Sequence, residues 1–334
     1  MLRSRIRYVL YPACLIPSLA VADHPSIRFG TQGAGPITTI PAETMPAGTL
    51  AMGLDVEYIN TDRFSDTEIV DLTADHVHAH SVDSTLTSSL GISYGVSERF
   101  TLSLRLPHVY RESVRSGAHA HDSSGVVTNT AVDLGDSSGL GDALALGKYR
   151  VMNGTDGLAS LLFGVEMPTG QTDATHAGDK LEAEHQPGSG SWDWLLGLSI
   201  GTRTGSLALD ANVLYVLATE GTQNTDLGDR FQHNLGLAYR IGGEVHDHGS
   251  TEHVHRAWDL VLELNGEWSD KKKVDGTTDR DSGGYQLLLS PGLRYAAGGG
   301  WSAHVSVGVP VVSDPGRGHT DTDYRITAGI ATAF

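Results

Sequence analysis

The last stretch of the chain, Tyr324-Arg-Ile-Thr-Ala-Gly-Ile-Ala-Thr-Ala-Phe334, decides the fold. Tyr324, Ile326, Ala328, Ile330, Thr332 and Phe334 fall on one face, and Arg325, Thr327, Gly329, Ala331 and Ala333 on the other. A period of two is that of a β-strand, and the two faces differ in polarity, so each meets a different solvent. An aromatic residue ends the chain directly after this alternation.

The same alternation recurs upstream, in segments 49–59, 81–96, 99–110, 139–151, 157–167, 191–203, 206–219, 230–241, 257–268, 284–296 and 300–311. Segment 257–268 is the cleanest: Trp258, Leu260, Leu262, Leu264 and Trp268 oppose Asp259, Glu263, Asn265 and Glu267. Segment 139–151 is ambiguous, because Leu144 and Leu146 share a face with Asp142 and Lys148. With the final strand the count is twelve, which is even and puts both ends of the sheet on one side. The connections alternate between short (Ser97-Glu98, Met152 to Asp156, Thr204-Gly205, Gly298-Gly299) and long, and 242–256 is long on the short side. Tyr58, Tyr94, Trp192, Tyr215, Trp258, Tyr295 and Trp301 sit at strand ends, where amphipathic rings meet a lipid–water boundary.

These features predict an all-β chain, a twelve-stranded antiparallel transmembrane β-barrel of the outer membrane of a Gram-negative bacterium. Backbone closure is the physical reason: in hydrocarbon every N–H and C=O needs a partner, and an open sheet leaves edges. A hydrophobic content of only 39% fits, since alternate residues alone meet lipid. A soluble β-sandwich shares the alternation but does not explain the loop rhythm or the aromatic ends. The final strand also resembles the C-terminal signal strand of outer-membrane barrels. That implies recognition by the barrel-assembly machinery, with outer-membrane lipid as the other partner.

Residues 1–22 read as a secretory signal peptide: Arg3, Arg5 and Arg7, a short apolar stretch, then Ala20-Val21-Ala22. The single cysteine, Cys14, lies within it, so disulfides and thiolate metal sites are excluded downstream. Residues 23–48, rich in Gly, Pro and Thr, read as an extended periplasmic lead-in that could fold into the barrel mouth, and 49–334 as the barrel. A formal net charge of −17 excludes non-specific nucleic-acid binding.

The motif Gly139-Leu140-Gly141-Asp142, then Lys148-Tyr149-Arg150, then Met167-Pro168-Thr169-Gly170, resembles the MetA-pathway phenol-degradation family of outer-membrane transporters. The resemblance implies a barrel that passes small, often aromatic, compounds. The histidine-rich loops of this chain are not part of that pattern.

Strand parity places Asp55, Glu57, Glu166, Asp210, Asp259, Glu263 and Glu267 in the lumen with Arg105, Arg240 and Arg325. An acidic excess within a low-dielectric wall favours cations, whereas full ion pairing would plug the pore. Histidine gives the second signal. His76, His78 and His80, with Asp71 and Asp75 beside them, form H-x-H-x-H. His119 and His121 form another H-x-H unit, and so do His246 with His248 and His253 with His255. On extended backbone this spacing points the rings to one side, and two or three imidazoles hold Zn, Cu(II) or Ni(II). Solvated polar loops are the plain alternative.

The sequence lacks any Gly-rich phosphate loop at a strand–helix junction. An outer-membrane lipase would need a serine beside the outward-facing His233, and none stands out, so no enzyme is expected. Three functions follow. One is a porin-like channel for small solutes, including divalent transition-metal ions collected by the histidine loops. Another is a channel for small aromatic or apolar compounds. The third is a closed, metal-binding surface barrel.

Overall fold

The computed structural model describes residues 26–29, 34–121, 125–154, 157–242, 256–297 and 299–334. The expected signal peptide and the connection 243–255 lie outside the described residues.

The alternating segments form one closed antiparallel sheet. Its strands are β1 (Leu50–Asp62), β2 (Ser84–Ser97), β3 (Phe100–Glu112), β4 (Ser137–Leu140 continuing as Ala143–Gly154), β5 (Gly157–Met167) and β6 (Asp193–Thr204). The circuit continues with β7 (Leu207–Leu217), β8 (Arg230–Gly242), β9 (Ala257–Ser269), β10 (Gly284–Ala297), β11 (Trp301–Pro315) and β12 (Asp321–Ala333). Each strand pairs with its sequence neighbours, and β12 returns to β1 with Ala51 opposite Ala333 and Leu54 opposite Ile330. At the seam Phe334 N–H donates to Leu50 O at 2.8 Å, and Leu50 N–H to Phe334 O at 3.2 Å. No edge remains, which is what hydrocarbon demands of a spanning sheet.

Parity assigns the surfaces. Leu54, Leu196 and Ile330, each more than half exposed, belong to an outer band of Leu, Val and Ile, while Asp55, Glu57, Thr87 and Ser199 on the opposite parity are buried. Aromatic pairs mark both ends of this band. Trp258 and Tyr295 approach to 4.6 Å near the short turns, and Tyr58 and Tyr324 to 6.1 Å near the long loops.

The outer loops carry structure that alternation alone does not announce. Helix α1 (Asp66–Ala74) follows β1 and opens on a capping box between Ser65 and Glu68. The next strand residues, His80–Ser81, pair with the hairpin Arg115–His121 and Val127–Asp133 to form a separate three-stranded sheet above the barrel.

The lead-in, expected on the periplasmic side and able to fold into the barrel mouth, runs through the lumen at residues 26–29 and 35–42, while 46–48 stay exposed. Its N–H groups donate to wall side chains: Thr38 and Thr39 to Glu263 at 2.8–3.1 Å, Gly35 to Asp259 at 3.2 Å, Ile40 to Asn212 at 2.9 Å. Its carbonyls accept from Arg294 at Pro36, Lys148 at Pro41 and Ser199 at Ile40. A non-repetitive segment can be buried only when its backbone groups are satisfied in this way. Gly236 makes room for it, since a Cβ there would stand 2.9 Å from Pro36 and 3.0 Å from Thr39.

The ambiguity of β4 resolves here too. Leu144 and Leu146 point inward and, with Leu162, Leu195, Leu214 and Val216, form an apolar patch of the lumen wall that clusters with Ile27, Phe29 and Ile40.

Candidate functional site

The structure places all ten lumen residues inside the barrel, and each carboxylate among them has a partner. Glu57 accepts from Ser26 and faces Arg28 at 3.6 Å and Arg325 at 4.0 Å. Asp55 meets Arg28 and His304. Arg105 donates to the Ser26 carbonyl at 2.6 Å. Arg240 forks onto Asp259 at 2.8 and 2.9 Å, Arg203 meets Asp210 at 2.8 Å, Arg230 meets Glu166 at 2.9 Å, and Gln232 donates to Glu267. The acidic excess expected to attract cations is therefore engaged, partly by the lumen segment, here the plug, with Glu263 on two of its N–H groups and Glu57 and Asp55 on Ser26 and Arg28, and partly by wall partners of Asp259, Asp210, Glu166 and Glu267. Metal-ion passage through the lumen has no free carboxylate path among the described residues.

Above the plug, the loop from β5 to β6 folds over the lumen. Arg111 donates to the Gln186 carbonyl at 3.1 Å, and Gln186 braces Ala174 and Leu181. The glycine motif explains how this loop is held. Asp142 accepts from the N–H of Gly170 at 2.8 Å and of Ser189 at 2.6 Å, and from the Ser189 hydroxyl. A Cβ on Gly170 would stand 2.7 Å from the Cα of Gly188. The motif residues Asp142 and Gly170 thus build the loop crossing at the outer mouth.

Among the described histidines, the spacing is realised only in part. His76, at φ 62° past the end of α1, turns towards His119, with the ring centroids 6.0 Å apart. His119 itself pairs with Asn129 at 2.8 Å. The side chain of His121, and His246, His248, His253 and His255, lie outside the description. His78 and His80 do meet, Nδ1 to Nε2, at 2.9 Å.

His80 is instead brought together with Glu182, Glu184 and His185 of the β5–β6 loop, one donor atom from each lying within 4.8 Å of the others. Burial pushes the His80 imidazole well below its ordinary range and that of His185 down to about 4. Spacing along the chain does not single out Glu182, Glu184 and His185 as partners of His80. The run Leu-Glu-Ala-Glu-His at 181–185 was the available signal.

A third feature lies on the lipid-facing wall. A cavity of about 350 Å³ is lined by Leu198, Ile200, Ala211, Val213, Leu235, Leu264 and Leu287, with Asn212, Asn234, His233 and Tyr285 as its polar members. His233 pairs with the Tyr285 hydroxyl at 3.0 Å rather than with a serine, and the two rings stack at 5.6 Å. The other ring nitrogen, Nδ1, is buried without a hydrogen-bond partner. A polar pair on a membrane-facing surface is costly unless it has a task.

Comparison with known proteins agrees with the fold. An outer-membrane channel from Pseudomonas putida F1 superposes with a TM-score of 0.59 at 17% identity, covering 88% of this chain and 98% of that one. A monoaromatic hydrocarbon channel, CymD, gives 0.41 at 11% identity over 87% and 89% of the two chains. The KdgM porin gives 0.39 at 12% over 84% and 99%. No curated protein matches the sequence. The fold is that of an outer-membrane channel, and its location is the Gram-negative outer membrane. Residues 61–314 match the family described as "Putative MetA-pathway of phenol degradation", and the chain belongs to that family.

Proposed function

We propose that the barrel admits small aromatic or weakly polar apolar compounds, and that the cavity on its lipid-facing wall receives them. The observation that carries this reading is the contrast between two routes. The axial lumen is occupied by residues 26–29 and 35–42 and its carboxylates are engaged. The lateral cavity has the size of a small-molecule site, an apolar wall and a few polar groups at one side. An aromatic compound would lay its ring against Leu235 and Leu264, beside the His233–Tyr285 pair.

The test is uptake of phenol or toluene into vesicles carrying the purified barrel, compared with conductance of small ions. Aromatic uptake with low ionic conductance supports the reading. Large ionic conductance with aromatic uptake no faster than in protein-free vesicles would refute it. The alternative of ion transport fed by the histidine loops finds no support in the paired lumen.

A further inference from the structure

We infer that the outer face carries a zinc site built from His80, Glu182, Glu184 and His185, which pins together loops from opposite parts of the barrel. His80 comes from the β1–β2 loop. The other three come from the β5–β6 loop, where His185 closes a short 3-10 turn, Ala183–His185. These loops are more than a hundred residues apart in sequence.

The donor atoms stand close enough to share one ion. His80 Nε2 stands 3.1 Å from Glu184 Oε1 and 3.4 Å from Glu182 Oε2, and His185 Nε2 stands 3.7 Å from the same Glu184 oxygen. Donors at about 2.0–2.1 Å from a tetrahedral zinc lie about 3.3 Å from one another; these three separations lie near that edge, and all four donors fall within 4.8 Å of one another. Two imidazole nitrogens and two carboxylates form a mixed nitrogen–oxygen set suited to a borderline divalent ion.

Hydrogen counting gives a second argument. A neutral imidazole carries a single N–H. His80 is paired on both ring nitrogens, Nε2 with His78 Nδ1 at 2.9 Å and Nδ1 with His185 Nε2 at 3.1 Å, while Glu182 Oε2 and Glu184 Oε1 also face Nε2. Glu184 Oε1 is buried and makes no well-aligned hydrogen bond. A cation among these donors would satisfy both carboxylate oxygens at once.

The surroundings fit a divalent charge. Lys272 Nζ binds the other oxygen of Glu184, Oε2, at 2.5 Å and lies 3.5 Å from Asp279. That contact orients the carboxylate and turns Oε1 towards His80 and His185. Glu182, Glu184 and Asp279 against one ammonium leave two negative charges uncompensated. Behind His185, its carbonyl accepts from Ser137 Oγ at 2.7 Å, which fixes the turn on β4. Through Lys272 the β9–β10 loop joins the same knot.

The experiment is a zinc titration of the full barrel in detergent, in a background with His246, His248, His253 and His255 changed to Ala so that this second histidine-rich stretch does not contribute. The parent is expected to bind one zinc saturably. Losing a supporting residue around a metal ligand costs 10–100-fold, so losing a ligand, by His80→Ala or His185→Ala, should weaken binding by at least about 100-fold. His76→Ala, at an H-x-H position outside the cluster, should leave it unchanged. Unaltered affinity in both ligand variants, or no saturable binding by the parent, overturns the proposal. The gel mobility of the unheated barrel reports folding. If a ligand variant fails to fold, chelation of the zinc-loaded parent takes its place. Stripping zinc should speed protease cleavage within residues 168–192, and an unchanged rate overturns the site.

Discussion

Truncating Glu263 should release the plug. This carboxylate accepts three contacts at 2.8–3.1 Å from the N–H groups of Thr38 and Thr39, deep in the barrel. In Glu263→Ala two buried donors lose their acceptor, at about 1–3 kcal/mol each, or about 2–6 kcal/mol for the docked segment. Undocked N–H groups can be rewetted by lumen water, so the lower end, about 2 kcal/mol, is the expected size. That corresponds to roughly a 30-fold shift of the docking equilibrium towards the released state. Thr38→Cys, with Cys14 replaced, provides the readout. Its modification by a water-soluble maleimide should be roughly 30-fold faster beside Glu263→Ala than without it, on the basis of that same shift. Single-channel conductance should rise in parallel. A folded Glu263→Ala barrel with unchanged labelling and unchanged conductance would refute the idea that lumen carboxylates exist to hold the plug.

Other outcomes follow from the same geometry. Ala211→Trp should fill the lipid-facing cavity and abolish saturable binding of an apolar fluorescent aromatic probe while leaving ionic conductance as it was; equal binding in both proteins would dissociate the cavity from the cargo. Gly170→Val forces a Cβ to within 2.7 Å of the Gly188 backbone. Overpacking of this kind costs about 1–3 kcal/mol, visible as a lowered unfolding temperature of the barrel, and no change would dismiss the loop crossing as a structural knot. Removing Phe334 takes away the seam bonds to Leu50. It should lower the amount of barrel assembled in the outer membrane, as quantified by heat-modifiable gel shift.

The wall of the barrel was legible from residue order because its determinants are local. Each side chain's environment follows from parity alone, so Leu260 against Asp259, or Ile326 against Arg325, reports lipid or lumen without knowledge of any partner. The aromatic terminus and the loop rhythm then supply closure. Even α1 was announced locally, by Ser65 and Glu68 in capping-box spacing, although the alternation around it drew attention away.

What fills and crowns the wall was not local. Residues 34–48 have no period, because their backbone is satisfied by Glu263, Asp259 and Asn212, more than 170 residues away. Nothing in a lone stretch of Gly, Pro and Thr reveals such partners. The same holds for β4, where Leu144 and Leu146 face inward only because Ile27 and Phe29 give them a dry surface in the lumen. Sequence spacing put His76, His78 and His80 together. The tertiary structure separated His76 and joined His80 to Glu182, Glu184 and His185, because loop closure, not residue spacing, sets which side chains converge. Alternation in the chain determined a cylinder with a greasy outside and a polar inside. Only the folded molecule decided that the cylinder is stoppered, since that depends on contacts between segments whose separation along the chain carries no local mark.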